Sequence, residues 1–584
     1  MVNTGYPGVI RSEEDLSQIN VVDNSTVIAT IGLAKKGLVN SRVLVKSPNE
    51  LINTFGTPLV SGGRPENQVI DYGIYAAIEG LKESSNVYFT RLTNGSERYS
   101  AIGVSGTYTG VASGASIVTS AKPTTEALAN YPNGYLPNDN GDIGSSNTPL
   151  DVYAVGPGVY GDNIAIRVIT PYASAVAGLS ADVDWMNNYD EAADVSGVNA
   201  KWKKIFKVQV YTKQSYESFG TLFASISASP DETFYVSNDY TVLDNSGNAM
   251  FADEVINGKS SYIYVKSNGV MPAYTTSYLA LTGGADSTLT TTADHSTGWS
   301  IYSNKDIKVD VLSPVPVNGN SSNAALSTST LTAINGVLSK RMDFISPVQV
   351  GSIGSKTKNA LIQDSVSVTA GTVSNPSYFA KYAGWQLVLD PYNSLRVWIP
   401  NSIFAAAIYA RTDRVAFPWE APAGTDLGGI PSSQTNLKLD ESELGEMYKT
   451  YNINTARRIN GVQYIWGQKT AQLKKTARDR INVRRMLLTV ENNVESILSQ
   501  FLFKGNTDRN RERIVSLITN YMTGVKIDGG VEEFRVVVDS TNNTSTTIAQ
   551  NILNVDLYVK PVQTIEFINL KLVISADSVS VGEA

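Results

Sequence analysis

Few stretches of this chain combine residue types that could do chemistry. Gly351-Ser352-Ile353-Gly354-Ser355-Lys356-Thr357 superficially resembles a phosphate-binding loop. Such a loop needs Gly directly before the Lys and a second Gly with four residues between, so that backbone amides close around a phosphate. Ser355 and Val350 stand at those places, so the stretch reads as a plain loop. Gly32-Leu33-Ala34-Lys35-Lys36-Gly37 fails the same test, with Leu38 where Lys should be. The only histidine, His295, lies among Thr and Ser with no acid-base context, and reads as a surface residue rather than a general base. Asp139 with Asp142, and Asp182 with Asp184, lack the calcium-loop pattern and read as Asx turns. A chain without Cys has no disulfide, thiolate nucleophile or Cys-ligated metal, and one His excludes any site needing two imidazoles. No Gly-x-Ser-x-Gly elbow occurs, and nothing favours a glycosidase pair of carboxylates. The expectation is no catalytic residue, no metal and no cofactor.

Function must then be sought in architecture. At 584 residues the chain has room for several cores, and 42% hydrophobic with 17% charged residues fits an ordered protein. No apolar run reaches about 18 residues, so no membrane insertion is expected. Met1 to Gly8 lacks a basic start and apolar stretch, so no secretory signal is read and a cytoplasmic origin is expected.

Residues 1–25 read as a polar arm. Thr26–Gly32 and Val43–Val45 read as strands, Glu50–Phe55 as a helix capped by Ser47 or Asn49 and stopped by Gly56, Val69–Leu81 as a helix, and Val87–Thr90 as a strand. These make a small αβ domain over 26–95. Residues 96–280 read as a β-rich, protruding insertion, with strands over Ile164–Ile169 and Lys207–Tyr211. In 281–415, Asp310–Leu312 and Asp343–Ile345 read as strands, Ala324–Leu338 as a helix and Trp385–Ile399 as a hairpin turning at Asp390–Asn393.

The last third, 416–584, is the most regular. Val483, Leu487, Val490, Val494, Ile497 and Phe501 recur at intervals of 4, 3, 4, 3, 4, which places them on one helical stripe. A second helix is predicted over Asp508–Met522, capped by Asn506 or Thr507 and ended by Gly524, with Ile514, Ile518 and Tyr521 inward. Strands follow at Phe534–Val538, at Leu553, Val555, Leu557 and Val559, and at Ile565 to Ile574, where Ile565 and Phe567 share a face. The predicted class is α+β multidomain.

Charge is unevenly spread. Tyr99 to Ser300 holds 9 Lys/Arg against 19 Asp/Glu, whereas Arg457 to Arg485 holds nine basic residues and one acid, Asp479. The plain reading is two solvated faces. The sharper one is a contact between like subunits through Lys474, Lys475, Arg478, Arg480, Arg484 and Arg485. Direct nucleic-acid binding is not expected, because the acidic bulk repels phosphate and no recognition motif accompanies the basic run.

Several segments in order resemble one family. They are Tyr409-Ala410-Arg411-Thr412-Asp413-Arg414, Pro418-Trp419-Glu420-Ala421-Pro422-Ala423, Asn452-Ile453-Asn454, Gly461, Ile465-Trp466-Gly467-Gln468-Lys469-Thr470, and Ile481-Asn482-Val483-Arg484-Arg485 with the long helix. Tyr6-Pro7-Gly8-Val9 and Ser25-Thr26-Val27-Ile28-Ala29 match its opening. The chain resembles the contractile tail sheath proteins of myovirus-type phages. It departs from them at Phe503-Lys504-Gly505-Asn506-Thr507, where the family is aromatic-rich, and over 96–280, which matches nothing recognisable.

The resemblance implies a structural subunit that polymerises helically with itself around a tail tube. Contraction of the polymer drives the tube through the host envelope for genome delivery. It implies a subtilisin-like shape for 281–415 without protease activity. It also implies baseplate and tail terminator partners, and a place in the virion tail after assembly in the host cytoplasm. Terminal extensions would lace subunits by adding strands to a neighbour's sheet, which assigns Tyr6, Val9, Leu553, Val555, Leu557, Val559, Ile565 and Phe567 to strand exchange. A charged helix holds the tube in such proteins, which points to Arg509, Arg511 and Arg513. The sheath of a bacterial contractile injection system, a surface-lattice or adhesin protein, and a degenerate hydrolase are the alternatives.

Overall fold

The computed structural model describes residues 26–60, 68–93, 97–104, 149–170, 205–212, most of 229–286, 292–316, 319–320, 328–369 and 373–570. The Asp139/Asp142 and Asp182/Asp184 pairs, Tyr6 and Val9 lie outside these residues, as does everything from 571 onward. Among the described residues, no helix is long and apolar enough to cross a membrane, and no three His, Cys, Asp or Glu side chains are placed to hold a metal.

The first unit forms as its pattern dictates. Strand β1 (Ile28–Gly32) is buried throughout, β2 is Arg42–Val45, and α1 is Pro48–Phe55. Ser47 Oγ accepts the Glu50 amide at the start of α1, and Gly56 ends it at φ 85°. Helix α2 begins at Gly73, not Val69, and runs to Leu81, followed by β3 (Val87–Arg91). Val69 and Ile70 instead form a short strand ahead of it.

Within 96–280 the described residues form two antiparallel sheets. One orders β4 (Ala101–Val104) and β5 (Leu150–Ala154) with a later strand, Ile263–Ser267. The other runs through β6 (Ile164–Ile169), β7 (Ile205–Thr212) and β8 (Glu232–Ser237), with Leu279–Ala280 on the far side of β6. Ile102, Val152, Ile166, Val208 and Val236 share a core between them.

The chain then returns to the main body. Helix α3 is Thr292–Ser300, and His295 on it is fully buried rather than on the surface, in the same short helix as the buried Trp299. Burial lowers its pKa to about 4, so the ring is neutral near pH 7. Strand β9 (Val311–Leu312) pairs in parallel with β1, which also pairs in parallel with β3. Helix α4 is Thr328–Leu338. Strand β10 is Ser346–Val350, just after the predicted 343–345, because Ile345 makes only a single bridge to Val311.

Helix α5 (Lys358–Thr369) leads to β11 (Phe379–Ala383), the hairpin of β12 (Trp385–Asp390) and β13 (Leu395–Pro400), and helix α6 (Asn401–Val415). Helix α7 (Glu441–Tyr451), with a capping box between Asp440 and Glu443, precedes β14 (Ile453–Ile459) and β15 (Val462–Trp466). Strands β10, β11 and β14 are parallel neighbours, and β15 returns antiparallel. Helix α6 is buried almost all round, as a helix packed on several sides must be. One hydrophobic core runs from Ile28 and Phe89 through Trp299, Phe344 and Trp385 to Leu488. The unit expected over 26–95 therefore shares its interior with the middle of the chain.

Last come α8 (Ile481–Ser499), α9 (Asp508–Ile527), β16 (Val531–Val537) and β17 (Asp556–Pro561). Thr507 caps α9, as predicted, but the helix runs through Gly524 instead of ending there. Glycine inside a helix costs about 1 kcal/mol relative to Ala. The extra turn buries Val525 beside Met522 against α8 and β16, and the chain turns only at Gly529, φ 80°.

Candidate subunit interface

Helix α8 is clasped on two sides. Ile481 and Leu488 belong to the main core, while Val483, Met486 and Val490 meet Ile514, Ile518 and Met522 of α9 in a second core. The stripe read from sequence covers only the second contact. Arginines 484 and 485 therefore point into the body and are not available to a neighbouring subunit. The Arg484 guanidinium lies 3.6 Å from the centre of the Tyr378 ring, and burial lowers its pKa. Arg485 Nη2 donates to Asp413 Oδ1 at 2.5 Å and to the Tyr409 carbonyl at 2.9 Å. The other Asp413 oxygen accepts the Thr26 hydroxyl at 2.5 Å.

Arg480 also turns inward. Its Nε and Nη2 fork onto the two oxygens of Glu566, at 2.5 and 3.0 Å. Of the six basic residues expected at a subunit contact, Lys474, Lys475 and Arg478 are exposed and without a salt bridge among the described residues. Gln472 fixes their loop by donating to the Lys474 carbonyl at 2.8 Å and to the Thr476 hydroxyl at 2.6 Å.

Strands β16 and β17 form a sheet of two antiparallel strands, with a bulge near Val531. Phe534, Val536, Leu557 and Val559 pack one face onto α8 and α9, with Leu553 and Val555 at the margin. No third strand pairs with either outer edge among the described residues. Two strands alone are marginal in water, and an unpaired edge is a template for another chain.

The second terminal strand expected from the alternation at 565–574 is not paired in this subunit. After Pro561 the Val562 amide donates to the Gly530 carbonyl at 3.4 Å, and the described chain to Leu570 joins no ladder. Side chains hold it instead. Glu566 Oε1 accepts from Tyr448 at 3.0 Å and Gln468 at 3.3 Å besides Arg480, and Thr564 meets Gln468. Burial and the Glu566 charge push the Tyr448 pKa up, which keeps its hydroxyl a donor. Ile565, on the other side of the chain from these contacts in sequence alternation, is 83% exposed. Ile568 and Leu570 are 84% and 90% exposed, and Phe567 is 67% exposed with the Lys449 ammonium 5.6 Å from its ring.

On α9, Arg509 and Arg513 are exposed, whereas Arg511 is engaged locally by Asp508 and by Asn506 Oδ1 at 2.6 Å. The preceding loop exposes Leu502 and Phe503, the latter at φ 64°.

Residues 474–575, from the basic loop through both helices to the exposed tail, match the phage tail sheath C-terminal domain. Over this region the chain is similar to tail sheath proteins. The chain is 28% identical over 396 residues to the tail sheath protein of Vibrio phage KVP40, covering 63% of this chain and 58% of that one. It is 27% identical over 351 residues to the tail sheath protein of Enterobacteria phage T4, covering 58% and 52%. The chain thus spans little more than half the length of these curated relatives. The crystal structure of a sheath tail protein from Listeria innocua superposes with a TM-score of 0.53 at 12% identity, covering 92% of each chain. That likeness concerns fold, and this chain is a mixed αβ multidomain protein.

The segments that resemble the sheath family serve mainly as frame. Arg411 and Arg414 grip Glu83 beyond the end of α2, at 2.6 and 2.5 Å. Tyr409 shares a hydroxyl hydrogen bond with Tyr382 at 2.9 Å, and Trp419 Nε1 donates to the Asp528 carbonyl at 2.9 Å. Asn454 bridges the carbonyls of Lys381 and Lys469. Sequence reasoning missed Glu83, Tyr448 and Glu566. The one available signal was a lone acid, Glu566, inside an apolar alternation.

Proposed function

We propose that this chain is the structural subunit of a contractile phage tail sheath. It polymerises helically around a tail tube and drives the tube through the host envelope for genome delivery. The observation that carries the reading is the two-stranded β16–β17 sheet with both edges unpaired among the described residues, beside an exposed apolar tail, in the region that matches the sheath C-terminal domain. A neighbour's extended segment can complete each edge by main-chain hydrogen bonds. On this reading Leu553, Val555, Leu557 and Val559 belong to the acceptor, while Ile565, Phe567 and the residues beyond are donated. Tyr6 and Val9 remain candidates for a donated N-terminal arm. A contact of this head-to-tail kind does not close on itself and generates a filament.

Lys474, Lys475 and Arg478 face an acidic region of the next subunit, within 99–300. Arg509 and Arg513 face the tube. Baseplate and terminator proteins cap the polymer, which resides in the virion tail after assembly in the host cytoplasm. Residues 281–415 take the subtilisin-like role of the family and 96–280 protrude, with no enzymatic activity. Similarity to proteins of phages favours a phage tail over a bacterial injection system.

Negative-stain electron microscopy of the purified chain, alone and with the cognate tube protein, tests this. Hollow striated tubes, or sleeves on the tube protein, are expected. Dispersed subunits under both conditions refute it.

A further inference from the structure

The C-terminal tail changes character at one residue. Val562, Thr564 and Glu566 are tied to their own subunit, with Gln563 and Ile565 exposed between them, and from Phe567 onward every described residue is exposed. Apart from Val562 and Thr564, the tie converges on a single carboxylate. Arg480 reaches it from just before α8, Tyr448 from α7 and Gln468 from the segment after β15. These groups come from three separate stretches of the rigid body, and the Glu566 side chain is 14% exposed. Lys469 braces Tyr448 from behind, its ammonium 4.8 Å from the ring centre.

A bidentate guanidinium–carboxylate pair fixes orientation as well as distance. The backbone of 563–570 makes no ladder of its own, and besides the Glu566 contacts only the Thr564–Gln468 hydrogen bond and the Lys449 ammonium beside the Phe567 ring hold this stretch among the described residues. We infer that Glu566 is the positioning residue for subunit lacing: it sets the point and direction from which the C-terminal arm leaves toward a second copy of this chain. The inference rests on the strand-exchange reading above, but it concerns the donor's geometry and not the exchange itself.

The expected consequence follows from chain dimensions. Losing the Glu566 contacts leaves Thr564 as the last hydrogen-bonded residue of the tail, and Ile565 and Glu566 then add two free residues, which span up to about 7 Å when extended. That play exceeds the ~4.8 Å spacing of paired strands. The arm still finds its acceptor, because its own backbone is untouched. Successive subunits then differ in placement, and the polymer loses uniform symmetry instead of failing to form.

The chain has no Cys, so two introduced cysteines label uniquely. Spin labels at Ile568 and Lys526, both exposed, report the tail's position relative to α9. In the full-length protein a narrow distance distribution is expected. It broadens several-fold in Glu566→Ala and in the isosteric Glu566→Gln, while thermal melting stays within a few degrees. Tubes of both variants show a broad diameter distribution and weakened layer lines, and Glu566→Asp recovers part of the order. An unchanged distribution in both variants, or variant tubes as regular as the parent's, overturns the inference. If the unaltered chain forms no tubes even with tube protein, the sheath reading fails, and the spin-label distances alone decide the role of Glu566. If Glu566→Ala unfolds, Glu566→Gln carries the test.

Discussion

The Asp413–Arg485 pair offers the sharpest test of the claim that the Ile481–Arg485 segment is frame and not interface. Both side chains are nearly buried, 11% and 5% exposed, and their atoms approach to 2.5 Å. Asp413→Ala leaves a guanidinium inside the protein with only the Tyr409 carbonyl as acceptor, and takes away the partner of Thr26. Removing one member of a buried pair costs about 3–5 kcal/mol, because the other charge stays desolvated and uncompensated. Arg485→Met is expected to cost a similar amount. Replacing both, as Asp413→Leu with Arg485→Met, removes the stranded charge and should cost less than either single change.

A chain with several cores does not unfold in one step, so a global unfolding free energy is the wrong readout. Native-state hydrogen exchange resolved on α6 and α8 reads the local opening directly. Each single variant should speed exchange there by about 10²–10⁴-fold, since each 1.4 kcal/mol is tenfold. The amides of β6 and β7, in a separate core, should not respond. If either single variant changes exchange by less than about fivefold, roughly 1 kcal/mol, or if the two effects simply add in the double variant, the buried-pair account is wrong.

Charge reversal of Lys474, Lys475 and Arg478 touches an exposed loop, so melting should hold while assembly and its salt dependence change; unaltered assembly and contraction would sink their contact role. Arg509→Ala with Arg513→Ala should abolish co-assembly on the tube, whereas Arg511→Ala should only loosen the first turn of α9; a double variant that still coats the tube eliminates this helix as the contact. Lys381 is buried on β11 with its ammonium donating to Ser365 at 2.9 Å, and burial lowers its pKa to about 8 from 10.5. Between those values the unfolded chain binds more protons, so stability rises with pH across roughly 8 to 10.5, by about 3 kcal/mol for this group. Lys381→Met should therefore protect β11 amides more strongly at pH 7 and remove that slope. A variant less protected at pH 7 contradicts the assignment.

The sequence by itself determined the local elements. A buried strand at β1, the Ser47 cap and Gly56 stop of α1, and the α8 stripe follow from side-chain periodicity and backbone freedom, which act over a few residues. Tertiary structure decided how those elements are used. Arg484 and Arg485 looked like surface charge, but their partners, Tyr378 and Asp413, lie more than seventy residues away and no spacing rule links them. His295 looked exposed because its neighbours are polar, yet the turn that carries it packs inward with Trp299. The alternation from Ile565 was read as a strand, and its apolar residues Ile565, Phe567, Ile568 and Leu570 are exposed. A strand also needs a partner edge, and here Arg480, Tyr448 and Gln468 hold the tail by Glu566 instead. Pairing, burial and charge compensation are properties of segments brought together by the fold, so they are set only when the chain has closed around them.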